Sequence, residues 1–253
     1  MTNKPRLLFT GGGGAGSEAL ARLLAPTYDV HFTDADYEAK PPTIAAQQWH
    51  QMPMATARNF TDSITKLCHQ LGINLFIPTV DEELLPVAQL AHSSGFETLL
   101  PHERFVARHL DKLASNQFLW QAGLPAPHSI AANLGRLTFP CIVKPLSGRG
   151  SRHVAIVHSE AELQAHILLS RMAISAFVIQ ELIVGQEFTV MMCANKQGVL
   201  HAIVPVLVGR KKGITLRAHT AHDPAVIAAC RAIHTADPVS GCYNIQLVKT
   251  TDG

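Results

Sequence analysis

The chain has 253 residues, 47% of them hydrophobic, with only 16% charged and a formal net charge of +2. That length supports one or two domains with a sizeable core, and so small a charge gives no basis for nucleic acid or an anionic membrane as partner. Cys68, Cys141, Cys193, Cys230 and Cys242 are far apart, odd in number and without a C-x-x-C pair, which argues against a disulfide scaffold, a zinc knuckle or a thioredoxin-like site. Reduced cysteines are expected. Lys4 and Arg6 precede only the short apolar run Leu7–Phe9, which does not read as a signal peptide. No stretch approaches the ~20 apolar residues of a membrane span. A soluble, cytoplasmic protein is the expectation.

Residues 6–10 read as an apolar strand, broken by Gly11–Gly14, and residues 15–25 carry apolar side chains at helical spacing (Ala19, Leu20, Leu23, Leu24). A second strand over 28–33 ends at Asp34 and Asp36. Helices over 62–71 and 82–93 each lead into a strand, over 75–78 and 97–100. The first ~100 residues thus alternate strand and helix, as in an open parallel α/β sheet. A helix is expected from about Asp111 to Ala122, then an extended connector over 124–128 with Pro125 and Pro127. Beyond Pro140 the pattern favours strands: 141–144, 153–157, 177–181, 187–193, 199–208 and 243–249. Helices are expected over 160–172 and 224–235, the latter with Asp223 as N-cap and Pro224 in its first turn.

Two glycine loops stand out. Gly11, Gly13 and Gly16 follow a strand and precede a helix in a G-x-G-x-x-G pattern, with Asp34 closing the next strand where a dinucleotide-binding fold places its ribose acid. The pattern is short and allows three readings: a tight strand-to-helix turn, a substrate-facing loop, or an NAD site. The second loop, Ser147-Gly148-Arg149-Gly150-Ser151, is fed by a strand that delivers Lys144. Backbone N–H groups of such a hairpin can fold over polyphosphate, with Lys144 as a point charge beside them. No Walker A pattern is present.

Three further segments agree with a nucleotide site. Lys112 opens the helix at 111–122. The stretch Gln180-Glu181-Leu182-Ile183-Val184-Gly185-Gln186-Glu187 joins two strands by an apolar link that can pack on a base, and Glu187 can accept from ribose hydroxyls. Gln246, on the last strand, is an oxygen donor suited to a hard cation.

In order along the chain, the segments TGGGGAGSEALARLL, IPTVDEELLPVA, LDKLASNQFLWQAGLPAP, FPCIVKPLSGRGS, VIQELIVGQEFTV and GCYNIQLV resemble the ATP-grasp superfamily, especially its carbamoyl-phosphate-synthase-like branch. The resemblance implies a Rossmann-like α/β domain over residues 1–109, an ATP-grasp small subdomain over 110–182 and a large subdomain over 183–253, an α/β plus α+β architecture overall. It implies ATP and Mg²⁺ as cofactors. Lys112 and Lys144 would contact phosphates, with Lys144 the catalytic lysine. Ser147, Gly148, Gly150 and Ser151 would cover the phosphates. Glu181, Leu182 and Ile183 would line adenine, Glu187 would hold ribose, and Gln246 would be a metal ligand. The basic run Arg210-Lys211-Lys212 is read equally as a further phosphate contact or a solvated loop.

The reaction implied is an ATP-dependent carboxylate ligation through an acyl phosphate, with a small-molecule carboxylate and a nucleophile as co-substrates; a homodimer is compatible with it. The chain ends at Thr250-Thr251-Asp252-Gly253, which reads as a hairpin turn, and the family's following Glu-x-Asn-Pro segment does not occur. The expectation is therefore a C-terminally incomplete ATP-grasp fold, a truncated form inactive by itself. The alternatives are a non-catalytic ATP-binding regulatory module and an NAD-dependent oxidoreductase built on Gly11–Asp34.

Overall fold

Residues Arg6–Phe9 form strand β1, whose alternation sends Leu8 to one face of its sheet and Leu7 and Phe9 to the other. This computed structural model describes residues 4–90, 95–135, 138–148 and 150–251, with the side chain of Ile214 excluded. The end of the helix expected over 82–93, the last two residues of the expected turn at 250–253, and Arg149 lie outside the described residues. The chain divides into two compact units, Met1–Val106 and Ala107–Gly253.

In the first unit β1 is followed by α1 (Ser17–Leu24), β2 (Asp29–Asp34), β3 (Trp49–Gln51), α2 (Phe60–Leu71), β4 (Leu75–Ile77), α3 (Asp81–Leu90), β5 (Glu97–Thr98) and the start of α4 (Glu103–Leu110). All strand pairs are parallel, in the order β3-β2-β1-β4-β5. Parallel strands joined by helices bury both faces. On one face Phe60, Ile64 and Cys68, spaced one helical turn apart on α2, pack with Leu8, Phe76 and Val87. On the other, Leu20 and Leu24 of α1 pack against Phe9, Phe32 and Trp49. This is the Rossmann-like sheet expected from the sequence. Strand β3 was not anticipated, since only Trp49 of its three residues is buried.

The second unit carries the rest of α4, then α5 (Lys112–Gln121), β6 (Ser129–Ala131), β7 (Cys141–Pro145), β8 (Ala155–Val157), α6 (Glu160–Ser170), β9 (Phe177–Glu181), β10 (Gln186–Ala194), β11 (Leu200–Lys212), β12 (Ile214–Thr220), α7 (Pro224–Ala236) and β13 (Gly241–Lys249). It holds two antiparallel four-stranded sheets, β6-β9-β7-β8 and β12-β11-β10-β13. Helix α6 covers one face of the first through Leu163 and Ile167, which meet Cys141, Val143 and Phe177. Helix α7 covers one face of the second through Val226 and Cys230, which meet Phe188, Val190 and Met192. The start of α7 is as expected: the Asp223 carboxylate accepts from the N–H groups of Ala225 and Val226. So is that of α5, where Asp111 caps by accepting from Leu113 and Ala114.

Several elements differ from expectation. Strand β11 runs on to Lys212, so the basic run is strand rather than loop, and β12 pairs with it through two register shifts. His153 and Val154 precede β8 instead of opening it, because His153 and Ser151 take left-handed backbone angles that no strand accommodates. Helix α4 and strand β6 are additional.

Candidate functional site

The small sheet leaves the face opposite α6 for Ile142, Lys144 and Gln180. Lys144 reaches diagonally across β7 and β9, and its Nζ donates to Gln180 Oε1. Gln180 is itself buried. The loop after β7 then hangs between two supports. On one side Lys112, in the first turn of α5, donates its backbone N–H to Leu146 O at 2.9 Å and its Nζ to Gly148 O at 3.1 Å. On the other, Ser151 Oγ donates to Gly213 O at 3.1 Å, tying the loop to the β11–β12 turn. Gly148 and Gly150 adopt φ of +114° and +68°, and a Cβ at either position would meet nothing within 4 Å. Ser147, Gly148, Gly150 and Ser151 are all exposed. The loop is thus held at its ends and open above.

The large sheet leaves the face opposite α7 for Glu187, Thr189 and Met191 of β10, with Val206 on β11 and Gln246 on β13 directly beside Thr189. Met191, Val204 and Val248 on this face are 49%, 39% and 37% exposed, so apolar side chains stand open beside the polar Glu187, Thr189 and Gln246. Lys211 Nζ donates to Glu187 Oε1, which brings the β11 lysine onto the same face.

Electrostatics join the two sheets. Burial pushes the Lys144 ammonium below the usual lysine value, the charges of Lys112 and Lys211 push it further, and only Glu187 opposes. Two further ammonium groups thus bear on Lys144 at a partly desolvated centre. A polyanion placed among them would relieve both penalties. Of the residues singled out in the sequence, Lys112, Lys144, Gly148, Ser151 and Glu187 come together here. Glu181 ends β9, where its carboxylate accepts from His128 N at 2.7 Å and its N–H donates to His128 O at 2.9 Å, and Leu182 and Ile183 follow on the link between the sheets. Gln246 is exposed on the open face. The link also needs Gly185: a Cβ there would lie 2.1 Å from Lys249 O. Sequence reasoning missed Gln180 as the partner of Lys144 and Gly213 as the loop's anchor. Neither carries a local signal, since each contact joins segments distant in sequence.

The first glycine loop is built differently. A Cβ at Gly12 would lie 2.7 Å from the Trp49 ring and 2.9 Å from Phe32 Cβ, and one at Gly13 would lie 2.6 Å from Ala39 Cβ. Asp34 is engaged by the loop itself, its Oδ2 accepting from Gly13 N at 2.9 Å and its Oδ1 from Asp36 N at 3.1 Å. These glycines make room for protein atoms, and a carboxylate sits against the N–H that a pyrophosphate would want. The arrangement favours the tight-turn reading over the dinucleotide one. The acids at 81–83 form the first turn of α3, where the buried Glu83 accepts from Thr10 Oγ1.

The two sheets thus turn a lysine-lined loop and an open face toward a common centre. Residues 109–229 match the ATP-grasp domain family, and the chain has the fold of that superfamily. No curated protein matches it. Among solved structures it is similar to an L-amino acid ligase from Bacillus licheniformis, at 17% identity and a TM-score of 0.73, covering 100% of this chain and 65% of that one. It is also similar to a carboxyaminoimidazole ribonucleotide synthase from Aspergillus clavatus complexed with ATP, at 13% identity and a TM-score of 0.75, covering 100% and 68%. A third is the biotin carboxylase domain of Hydrogenobacter thermophilus 2-oxoglutarate carboxylase, solved with MgADP, ADP and bicarbonate, at 12% identity and a TM-score of 0.69, covering 100% and 62%. At these identities the likeness is one of fold. No helix among the described residues is long and apolar enough to cross a membrane.

Proposed function

We propose that this chain binds ATP between its two antiparallel sheets and belongs to an ATP-dependent ligase that joins a small-molecule carboxylate to an amine or related nucleophile. The observation that carries the reading is the convergence of Lys112 and Lys211 on the half-buried Lys144, beside an exposed glycine loop. Lys112 and Lys144 would neutralise phosphate oxygens. The backbone of Ser147, Gly148, Gly150 and Ser151 would cover them. Glu181, Leu182 and Ile183 would line the base, against the apolar side chains of Met191 and Val204. Glu187 would accept from ribose hydroxyls, which must compete with Lys211 for its carboxylate.

ATP supplies an activated γ-phosphoryl group, which a carboxylate oxygen accepts as the β–γ bridging bond breaks, giving an acyl phosphate and ADP. A nucleophile then displaces phosphate. The protein's part is to position the reactants and to hold positive charge where negative charge gathers.

For Mg²⁺ the fit is partial. Gln246 offers one neutral oxygen on the open face, and the described residues contain no cluster of three or more His, Cys, Asp or Glu. A magnesium ion usually leans on substrate phosphates and water as well as protein, so here it would rest chiefly on the nucleotide, and no step is assigned to it. The chain spans 65% of the L-amino acid ligase it resembles.

Removing the Lys144 ammonium is the test. Lys144→Ala should weaken ATP binding, measured by calorimetry, by about 1.5–3 kcal/mol, the scale of a charge-assisted hydrogen bond. That is roughly 10- to 150-fold in Kd. Unchanged affinity in the folded variant would overturn the assignment.

A further inference from the structure

Cys193 and Cys242 are directly opposed in the antiparallel register of β10 and β13. Their sulfurs lie 3.2 Å apart, with the Cys242 thiol donating to Cys193 Sγ. Both are free and partly exposed. Two residues apart along a strand share a face, so the pair lies on the open face, in line with Thr189, Met191, Asn244 and Gln246. Strand β13 is an edge strand among the described residues, held by β10 alone.

We propose that Cys193 and Cys242 are an oxidisable thiol pair, a redox modification site that closes to a cross-strand disulfide and fastens the edge strand carrying Gln246 to the strand carrying Glu187. The proposal stands on the register and the sulfur separation, and is independent of what the two sheets bind.

The geometry meets the requirements of the bond. Directly opposed residues in an antiparallel pair have Cα atoms about 4.5–5.5 Å apart, inside the span of about 4.4–6.8 Å that a disulfide bridges. The sulfurs need approach by only about 1.1 Å to reach the bonded distance of about 2.05 Å, a displacement that side-chain rotation can supply.

A small-molecule disulfide is the oxidant. Cys193 Sγ attacks one of its sulfurs, that S–S bond breaks, and one small thiol departs. Cys242 then releases its proton to solvent and attacks the Cys193 sulfur, forming the protein disulfide and expelling the second thiol. Two protein thiols are oxidised and one small disulfide is reduced to two thiols. Burial and the hydrogen bond to Cys193 push the Cys242 thiol up to about 11. The other three cysteines are buried in separate cores: Cys68 against α3 and β4, Cys141 under α6, and Cys230 under β10. Burial pushes Cys68 up to about 12 and Cys230 up to about 11. They serve as internal controls.

The test is incubation of the full chain with oxidised glutathione, followed by removal of the reagent, denaturation and thiol counting. The five thiols should fall to three. The intact mass should fall by two hydrogens with no glutathione retained, and a digest should yield one peptide pair joining Cys193 to Cys242. The melting temperature should rise by several degrees, since the bond closes a long loop, and dithiothreitol should reverse every change. Cys193→Ser should abolish the crosslink while keeping the reduced protein's melting temperature. Five surviving thiols, an adduct that stops at mixed glutathione, or a crosslink that joins other cysteines would each overturn the proposal. The peptide map needs only the wild-type chain, so the outcome does not depend on a variant's folding.

Discussion

Two glycine-rich loops follow strands in this chain, and they use glycine for opposite reasons. In the loop over 11–16, Gly12 and Gly13 are where the protein's own atoms come closest: the Trp49 ring, Phe32 and Ala39 stand where a Cβ would go. In the loop over 147–151, Gly148 and Gly150 face open space, and what gathers nearby is positive charge. Gly12, crowded by its own chain and buried, is part of a core, while Gly13 is crowded at the surface. A glycine with empty space above it and lysines beside it is a surface waiting for something anionic. The sequence pattern of the first loop is the more familiar one, yet the second has the better geometry for phosphate.

That contrast can be broken by substitution. The largest expected effect on the first loop is Gly12→Ala, which must displace the Trp49 ring or Phe32 and should cost about 1–3 kcal/mol of stability by chemical denaturation, with ATP affinity per folded molecule unchanged. Lys144→Ala should do the reverse, losing affinity on the scale given above while leaving stability nearly intact or raising it, because a desolvated ammonium among like charges is removed. Gly150→Ala should cost about 1 kcal/mol, since φ is +68° there and nothing crowds the site. Its cost should appear in ATP affinity as well as in stability, because the loop must fold over its ligand.

The smallest effect is one of pH: near both loops stability rises with pH, but in two separate windows. His50 on β3 is held below its ordinary value of 6.5 by burial and by the neighbouring His31. A histidine kept neutral in the folded state contributes stability that is complete above pH 6.5 and is lost as pH falls from there through the folded value. Lys144 is held below its ordinary 10.5, so its protonated form burdens the folded state. Stability from that residue should grow as pH rises from its folded value toward 10.5. Denaturation across pH should therefore show a loss below 6.5 that His50→Gln reduces, and a gain in the alkaline range that Lys144→Gln abolishes.

Much of the fold could be read from the sequence because its elements alternate buried and open positions. The helix expected over 62–71 is α2, two residues longer at its start, and Asp223-Pro224 announced the start of α7. The elements that escaped lack such a contrast. The residues of β12 are exposed on both faces wherever described, so its sequence has no apolar alternation to detect. Strand β6 has three residues, too few to show a period. For the site, Lys144 and its loop were legible because a strand, a lysine and a glycine loop are adjacent in sequence. Gln180 behind Lys144, Lys211 on Glu187 and Cys242 on Cys193 were not. Each depends on which strand lies next to which, and on a register that one residue's slip would undo.

The central claim is that the second loop, not the first, receives the nucleotide. Calorimetric titration of the wild-type chain with ATP and, separately, with NADH decides it. The prediction is saturable ATP binding that weakens at least tenfold in Lys144→Ala, with no heat of binding from NADH. Saturable NADH binding that is lost in Asp34→Ala, with no response to ATP, would contradict it.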